Sequence, residues 1–269
     1  MPPGRCANRA PRRSSLASRS NLAGRGVVVT RPREQAAALA ARVEQAGGTA
    51  WVFPAIEILP PSDPHGSAQR LAQLSRYDLA VFVSPTAVLR ALARPAAWPA
   101  EVAAYAVGEG TRAELERRGV RAMAPQRGTD SESLLELAEL QDVNGKRVLI
   151  VRGEGGRPLL GETLRARGAE VDYAECYRRA LPAADSAPLL SAWDEGRVHA
   201  VTVSSAEGLA NLFTLLGVRG RDRLLGTPLF VPHARVAEAA RRMGARAVLV
   251  SGPGDDEVLA RLVAYFTAP

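Results

Sequence analysis

The hydrophobic positions of this chain form short apolar runs that alternate with longer amphipathic stretches. The run at 27–29 is closed by Pro32, and apolar residues then recur at helical spacing until Gly47-Gly48 ends the helix. Further strands are predicted at 51–53, 56–58, 79–83, 102–107, 146–151, 171–177, 199–203, 228–231 and 246–250. Further helices are predicted at 109–118, 131–140, 159–167, 206–216, 235–243 and 255–266, whereas 60–64 and the stretch around Pro182 and Pro188 are expected to be irregular. Short, almost wholly apolar strands between helices indicate parallel α/β structure with both sheet faces covered.

This pattern occurs twice in the chain. The strand and hydroxyl-rich segment at 77–92 return at 198–212, and the strand at 26–32 returns at 147–153. Both pairs are separated by about 120 residues, which indicates two related α/β units. Ligands of parallel sheets bind beyond the carboxyl ends of the strands, so we expect the site in a cleft between the units.

The net charge of +7 is mostly a property of the N-terminal segment. Residues 1–25 contain six arginines and no acidic residue, which leaves 29 basic and 28 acidic residues in the remainder. The charge therefore does not indicate a nucleic-acid partner. We expect residues 1–24 to be a disordered basic tail. It lacks the apolar stretch of a secretory signal, and it could be an organelle transit peptide, a dispensable extension or the result of a start codon assigned too early.

Length and cysteine usage narrow the class of protein further. A chain of 269 residues favours two domains, and no apolar run approaches the length of a membrane span, so no membrane partner is expected. The two cysteines, Cys6 and Cys176, have neither metal-ligand nor disulfide-framework spacing. This fits a reducing compartment, and we expect a cytoplasmic protein.

The segments that follow the predicted strands are small, hydroxylated and rich in glycine. Several lead directly into helix N-termini, where exposed N–H groups and the helix dipole favour anions, and arginines could add charge-assisted contacts. Four of the hydroxyl residues could instead be simple helix caps, a reading compatible with ligand binding: Ser84, Thr111, Ser204 and Ser205. The predicted binding residues are Thr30, Arg31, Ser84, Thr111, Arg152, Gly153, Gly155, Ser204, Ser205, His233 and Arg235.

Metal, nucleophile and nucleotide motifs are missing from the sequence. No Cys/His cluster has metal-ligand spacing, no Gly-x-Ser-x-Gly elbow occurs, and the glycines at 153–156 fit neither the dinucleotide fingerprint nor the P-loop. Tyr177 is the candidate acid, since a phenol stays protonated at neutral pH and can donate. The alternative reading is a tyrosine that packs on a domain edge.

Eight short motifs together resemble the uroporphyrinogen-III synthase family, nearest its bacterial branch, over residues 26–266. Each motif alone is weakly specific, but their order and spacing match. They are Val29-Thr30-Arg31-Pro32, Phe53-Pro54-x-Ile56-Glu57, Phe82-Val83-Ser84-Pro85-x-Ala87-Val88, Val107-Gly108-x-x-Thr111, Leu149-Ile150-Val151-Arg152-Gly153-x-Gly155-Gly156-Arg157, Leu164-x-x-Arg167-Gly168-Ala169-x-Val171, Cys176-Tyr177-x-Arg179 and Val203-Ser204-Ser205.

The resemblance implies two flavodoxin-like parallel-sheet domains joined by a two-stranded extended linker. The first domain would be discontinuous, with residues 25–54 plus 180–269, and the second would comprise 60–172. The linkers would be 54–60 and 172–180.

The resemblance also implies a reaction of tetrapyrrole (haem) biosynthesis, by a lyase that needs no cofactor. Linear hydroxymethylbilane loses water and closes to uroporphyrinogen III, with ring D inverted through a spiro intermediate. Tyr177 matches the family's candidate general acid, which acts directly or through water, and Thr111 and Ser204 or Ser205 match substrate-binding positions. His233-Ala234-Arg235 departs from the small hydroxyl residues usual there. The expected partners are the tetrapyrrole substrate and, transiently, hydroxymethylbilane synthase, and the protein would be a monomer.

Three other readings remain open at this point. The chain could be a non-catalytic tetrapyrrole- or anion-binding module of the same fold, a generic two-domain ligand-binding protein, or a nucleotide-binding enzyme. The retained Tyr177 and Thr111 argue against the first, and the missing export signal and the missing fingerprint argue against the other two.

Overall fold

The computed structural model describes residues 21–93 and 97–268, in which strands and helices alternate along the chain. No helix in these two ranges is both long and apolar enough to cross a membrane. Short 3-10 turns lie at Leu74–Arg76 and Ala138–Leu140. The strands and helices are, in chain order, β1 (Gly26–Val29), α1 (Arg33–Gln45), β2 (Thr49–Val52), β3 (Glu57–Leu59), α2 (Pro64–Ala72), β4 (Leu79–Phe82), α3 (Pro85–Ala91), β5 (Ala103–Ala106), α4 (Glu109–Glu116), β6 (Ala122–Met123), α5 (Ser131–Leu135), β7 (Arg147–Gly153), α6 (Leu159–Ala166), β8 (Glu170–Ala180), α7 (Ala187–Asp194), β9 (Ala200–Thr202), α8 (Ala206–Gly226), β10 (Leu229–Val231), α9 (Ala234–Arg242), β11 (Val248–Val250) and α10 (Asp255–Thr267).

The chain divides into two compact units. Unit 1 contains residues 21–55 and 183–268, and unit 2 contains residues 56–182. Each unit has two hydrophobic clusters formed by its own residues alone. Central strands such as β1 and β4 are buried along their whole length, because helices cover both faces of each sheet.

The two sheets have the same architecture. In unit 1 the strand order is β11-β10-β9-β1-β2, and the pairs are parallel. In unit 2 the order is β3-β8-β7-β4-β5-β6, with parallel pairs except for β3. Leaving out β3, the second sheet repeats the first when β7 and β8 take the places of β1 and β2. These are the strands that the sequence repeat relates.

The pairing of β3 with β8 differs from the predicted linker of residues 172–180. Residues 172–177 pair with β7 as part of the unit 2 sheet, and only the last three residues of β8 pair with β3, antiparallel. Residues 57–59 and 178–180 therefore form a two-stranded antiparallel ribbon, which continues the sheet of unit 2.

The last four residues of the predicted disordered tail, 21–24, belong to the folded part of the protein. Residues 1–20 lie outside the described residues, but 21–24 form a turn rather than a disordered segment. Leu22 is fully buried in a hydrophobic cluster of unit 1, and its N–H donates to the carbonyl of Ala46 at 2.9 Å. Burial of a leucine side chain stabilises the turn, which composition alone did not indicate.

Helix α7 forms where irregular structure was expected, and α2 begins at Pro64, the last residue of the other stretch expected to be irregular. Both α2 and α7 have proline in their first turn, a position that needs no N–H donor. Asp63 caps α2 by accepting from the Gly66 N–H at 2.9 Å. The predicted helix 131–140 is instead α5 followed by a 3-10 turn, and α8 continues to Gly226 through a kink at Gly217, whose φ is +59°.

Candidate active site

Tyr177 lies near the C-terminal end of β8, inside unit 2. Its side chain is only 1% exposed and belongs to the cluster that contains Phe82 and Ala174. The ring covers Gly153 so closely that a Cβ there would lie 2.6 Å from the ring atoms Cε2 and Cζ. The glycine at the end of β7 therefore makes room for the phenol.

A bulge in β8 determines the face on which Tyr177 lies. Arg152 pairs with Glu175, but the next residue, Gly153, pairs with Tyr177, which leaves Cys176 as an extra residue. The alternation along β8 would otherwise place Tyr177 on the same face as Tyr173, which packs in the other cluster of unit 2. The extra residue turns Tyr177 to the opposite face, as bulges do near functional sites.

The hydroxyl of Tyr177 has two side-chain partners. It lies 3.0 Å from Ser84 Oγ, and it accepts from Arg179 Nη2 at 3.3 Å. Ser84 is also the N-cap of α3, where its Oγ accepts from the Ala87 N–H at 3.0 Å. The structure therefore brings Ser84, Gly153 and Tyr177 together, and it adds Arg179, whose role the sequence motif Cys176-Tyr177-x-Arg179 did not reveal.

Thr111 follows β5, the strand that pairs with β4 in the sheet of unit 2. It is the third residue of α4, is 3% exposed, and is not a cap, because the N-cap of α4 is Gly108. A Cβ on Gly108 would lie 3.0 Å from the Thr129 side chain. Helix α4 packs against α3, so Thr111 and Ser84 belong to the first turns of neighbouring helices at the carboxyl edge of the sheet.

Two predicted cationic residues are paired inside the protein. Arg152 Nη2 lies 2.9 Å from Glu175 Oε1, and its guanidinium lies 3.9 Å from the centre of the Tyr173 ring. Arg31 pairs with Asp255 and also donates to a backbone carbonyl. Sequence reasoning missed both carboxylates. Arg31 and Arg152 therefore offer less unpaired positive charge to a ligand than we predicted. Gly155, another predicted site residue, has a φ of +68° and lies in the turn that follows β7.

The remaining predicted residues lie at the carboxyl edge of the unit 1 sheet. Thr30 follows β1 and is buried, with its hydroxyl donating to the Thr202 carbonyl at 2.7 Å. Ser205 follows β9 and caps α8 by accepting from the Gly208 N–H at 3.0 Å. The neighbouring positions Ser204, His233 and Arg235 are exposed at this edge. Arg235 forms no ion pair with any residue in the described ranges, so its charge is available to an anion.

Cys176, next to Tyr177, is not a nucleophile. Burial raises the pKa of its thiol to about 12, which keeps it protonated at neutral pH. Its Sγ lies 3.4 Å from the Ala174 carbonyl. Within the described ranges, no group of three or more His, Cys, Asp or Glu side chains is placed to hold a metal ion.

These arrangements define a class of protein. Each unit has polar residues at the carboxyl ends of parallel strands, and helices α4, α8 and α9 present their N-termini there, which suits anionic groups. Unit 2 adds a hydrogen-bonded phenol beside a serine hydroxyl. Both features are typical of a two-unit α/β enzyme that acts on a polyanionic small molecule by proton transfer.

Known proteins resemble the chain over most of its length. Residues 37–259 match the family described as "Uroporphyrinogen-III synthase HemD". The uroporphyrinogen-III synthase of Escherichia coli (strain K12) is 37% identical over 241 residues, which cover 87% of this chain and 98% of the relative. The chain belongs to the uroporphyrinogen-III synthase family.

Solved structures support the same fold. A mutant uroporphyrinogen III synthase from the extremely thermophilic bacterium Thermus thermophilus superposes with a TM-score of 0.57 at 21% identity, covering 88% of this chain and 97% of that one. The uroporphyrinogen-III synthetase of Helicobacter pylori 26695 gives a TM-score of 0.55 at 12% identity, covering 90% and 99%. At these identities the likeness concerns the fold, which is the two-domain α/β fold that the resemblance implied.

Proposed function

We propose that this protein closes hydroxymethylbilane to uroporphyrinogen III, with loss of water and inversion of ring D. The observation that carries the proposal is the 37% identity to the Escherichia coli uroporphyrinogen-III synthase, aligned over 98% of that protein. Such a match covers both units rather than one half of the fold.

Tyr177 is the proposed proton source. The ring A hydroxyl of the substrate is a poor leaving group until it is protonated, and it then departs as water. A neutral phenol supplies that proton at physiological pH. The electron-rich pyrroles drive the remaining steps, in which ring D attacks through its substituted carbon, so the protein mainly needs to hold the substrate in one conformation.

Anion binding is proposed for the carboxyl edges of both sheets. The substrate has acetate and propionate groups on every ring, and carboxylates are stabilised by the N–H groups of helix N-termini. Thr111 on α4, Ser205 at the start of α8, and His233 with Arg235 at the start of α9 lie at such positions. Because Arg31 and Arg152 are already paired, backbone amides and Arg235 are the proposed main anion contacts.

The test is a coupled assay in which porphobilinogen and hydroxymethylbilane synthase generate the substrate. The products are oxidised and separated as type I and type III isomers. Spontaneous closure yields type I, so a dominant type III peak that depends on this protein supports the proposal. Type I alone, from protein with a folded circular dichroism spectrum, would overturn it and favour a tetrapyrrole-binding module.

We also propose that the protein acts as a cytoplasmic monomer that receives its substrate in a transient contact with hydroxymethylbilane synthase. The substrate closes spontaneously to the wrong isomer, so a short transit favours the correct product. Light scattering should give the mass of one chain. Addition of hydroxymethylbilane synthase should reduce the fraction of type I isomer when the rate of substrate production is held constant. A stable dimer, or a type I fraction independent of synthase concentration, would contradict these two points.

A further inference from the structure

Resting on the proposed function, we propose that Ser84 delivers the proton to the leaving hydroxyl and that Tyr177, buried behind Ser84, supplies it. Ser84 would be the catalytic residue that touches the substrate. Tyr177 would act through Ser84 rather than directly or through water.

The first observation is the difference in accessibility between the two hydroxyls. Tyr177 is 1% exposed, and its ring is enclosed by Gly153 and the core of unit 2. Ser84 is only half-buried, at the carboxyl end of β4 where α3 begins. A substrate at this edge of the sheet therefore meets the serine hydroxyl before the phenol.

The second observation is the direction of the hydrogen bonds. Ser84 Oγ accepts from the Ala87 N–H at 3.0 Å and lies 3.0 Å from the Tyr177 hydroxyl. A serine hydroxyl has two acceptor sites and one hydrogen. When the Tyr177 hydroxyl donates to the second acceptor site of Ser84 Oγ, the hydrogen of the serine hydroxyl can point at a ligand. The two hydroxyls then form a continuous hydrogen-bonded path for one proton from Tyr177 to the ligand.

The third observation concerns the charge left behind. When Ser84 protonates the leaving oxygen, the C–O bond breaks with its electron pair on the departing water, and the Tyr177 proton moves to Ser84. The resulting phenolate is the acceptor of the Arg179 Nη2 hydrogen bond of 3.3 Å, which becomes charge-assisted. The proton that ring D loses on closure returns along the same path and restores Tyr177.

A capping role alone does not explain the contact with Tyr177. Ser205 makes the same cap bond in unit 1, to the Gly208 N–H at 3.0 Å, as the N-cap of α8. The cap geometry is therefore reached without a phenol as partner. The approach of Tyr177 to Ser84 instead depends on the bulge in β8 and on the absence of a side chain at Gly153.

The test compares steady-state constants for type III formation in variants of the full chain. Ser84→Ala and Tyr177→Phe should each lower kcat by about 10²–10⁴-fold, the usual contribution of a general acid, with little change in KM. Because the two groups act in series, the kcat of the double variant should be no lower than the kcat of the less active single variant. Ser84→Thr keeps a hydroxyl and should retain most of the activity.

Matched variants separate the relay from effects on stability. Ser84→Asn preserves a good helix cap without a hydroxyl and should be as inactive as Ser84→Ala. Asp63→Ala removes a cap from the same unit, and Tyr105→Phe removes another buried phenol hydroxyl there; both should retain kcat.

Two results would overturn the relay while leaving the proposed function intact. One is a wild-type kcat in Ser84→Asn or Tyr177→Phe. The other is a multiplicative loss in the double variant together with a raised KM for Ser84→Ala, which would make Ser84 a separate carboxylate contact. A wild-type protein that forms only the type I isomer would instead overturn the proposed function itself.

Discussion

At Tyr177, one extra residue in β8 decides which face of the sheet bears the phenol. The register shift opposite Arg152 and Gly153 places Cys176 in the bulge and turns Tyr177 into the core that Ser84 borders. The sequence analysis predicted Ser84, Gly153 and Tyr177 as site residues, but it did not predict that they contact one another. The contact between Ser84 and Tyr177 depends on the bulge in β8, on the lack of a Cβ at Gly153 and on one hydrogen bond.

Gly153→Ala tests this contact. The added Cβ would overlap the Tyr177 ring, so we expect a loss of about 1–3 kcal/mol in the free energy of unfolding and a lower kcat as the phenol moves away from Ser84. Gly156→Ala is the matched control, because a Cβ there meets atoms no closer than 3.4 Å. Urea unfolding and the isomer assay measure both effects, and a Gly153→Ala variant equal to wild type in both would contradict the close approach.

The buried Cys176 thiol predicts a pH dependence. Its folded-state pKa is raised from 9.0 to about 12 by burial, so its contribution to stability is complete below about pH 9 and is lost as the pH rises towards 12. In a Cys6→Ser background, we expect the free energy of unfolding to fall by about 1 kcal/mol more between pH 8 and pH 10 than in the Cys6→Ser/Cys176→Ala variant. Equal slopes for the two proteins would show that the thiol ionises normally in the fold.

At the scale of elements, burial and capping decide boundaries that hydrophobic spacing leaves open. The sequence predicted most strands and most long helices within a few residues, because their apolar positions are regular. It missed α2 and α7, since proline was taken as a sign of irregular chain although both helices tolerate it in their first turn. It also assigned residues 21–24 to the tail, because a single leucine in a short turn forms no periodic pattern.

Leu22→Ala tests the anchoring of that turn. Leu22 is fully buried against α1 and β2 residues, including Val43, so the substitution should destabilise the protein by about 2–5 kcal/mol. Leu181→Ala is the control, since Leu181 is 46% exposed and its loss should change stability by less than about 1 kcal/mol. Comparable midpoints in thermal unfolding for the two variants would mean that residues 21–24 are not part of the unit 1 core.

For the whole molecule, the sequence repeat and the compact units do not coincide. The first repeat contains β1, β2 and β4–β6, and the second contains β7–β11. Unit 1, however, combines β1 and β2 with β9–β11, while unit 2 combines β4–β6 with β7 and β8. The two repeats have in effect exchanged their first two strands, so each sheet is built from both.

This exchange predicts which fragments fold. Residues 56–182 include a complete sheet and two hydrophobic clusters, so we expect that fragment to unfold cooperatively and to show a near-UV circular dichroism signal. A fragment of residues 21–143 corresponds to the first repeat, but its strands belong to two different sheets, and it should remain unfolded. Cooperative unfolding of 21–143 but not of 56–182 would show that the repeat, not the compact unit, is the folding unit.

The sequence by itself determined the class of fold, the family and the residue types at the strand ends, because apolar periodicity, turn residues and short motifs are local properties. Tertiary structure alone decided three things. It paired Arg31 with Asp255 and Arg152 with Glu175, it placed Ser84 on the Tyr177 hydroxyl, and it exchanged strands between the repeats. Each depends on contacts between residues distant in the chain, and these follow from the registry and packing of strands rather than from the spacing of residues along them.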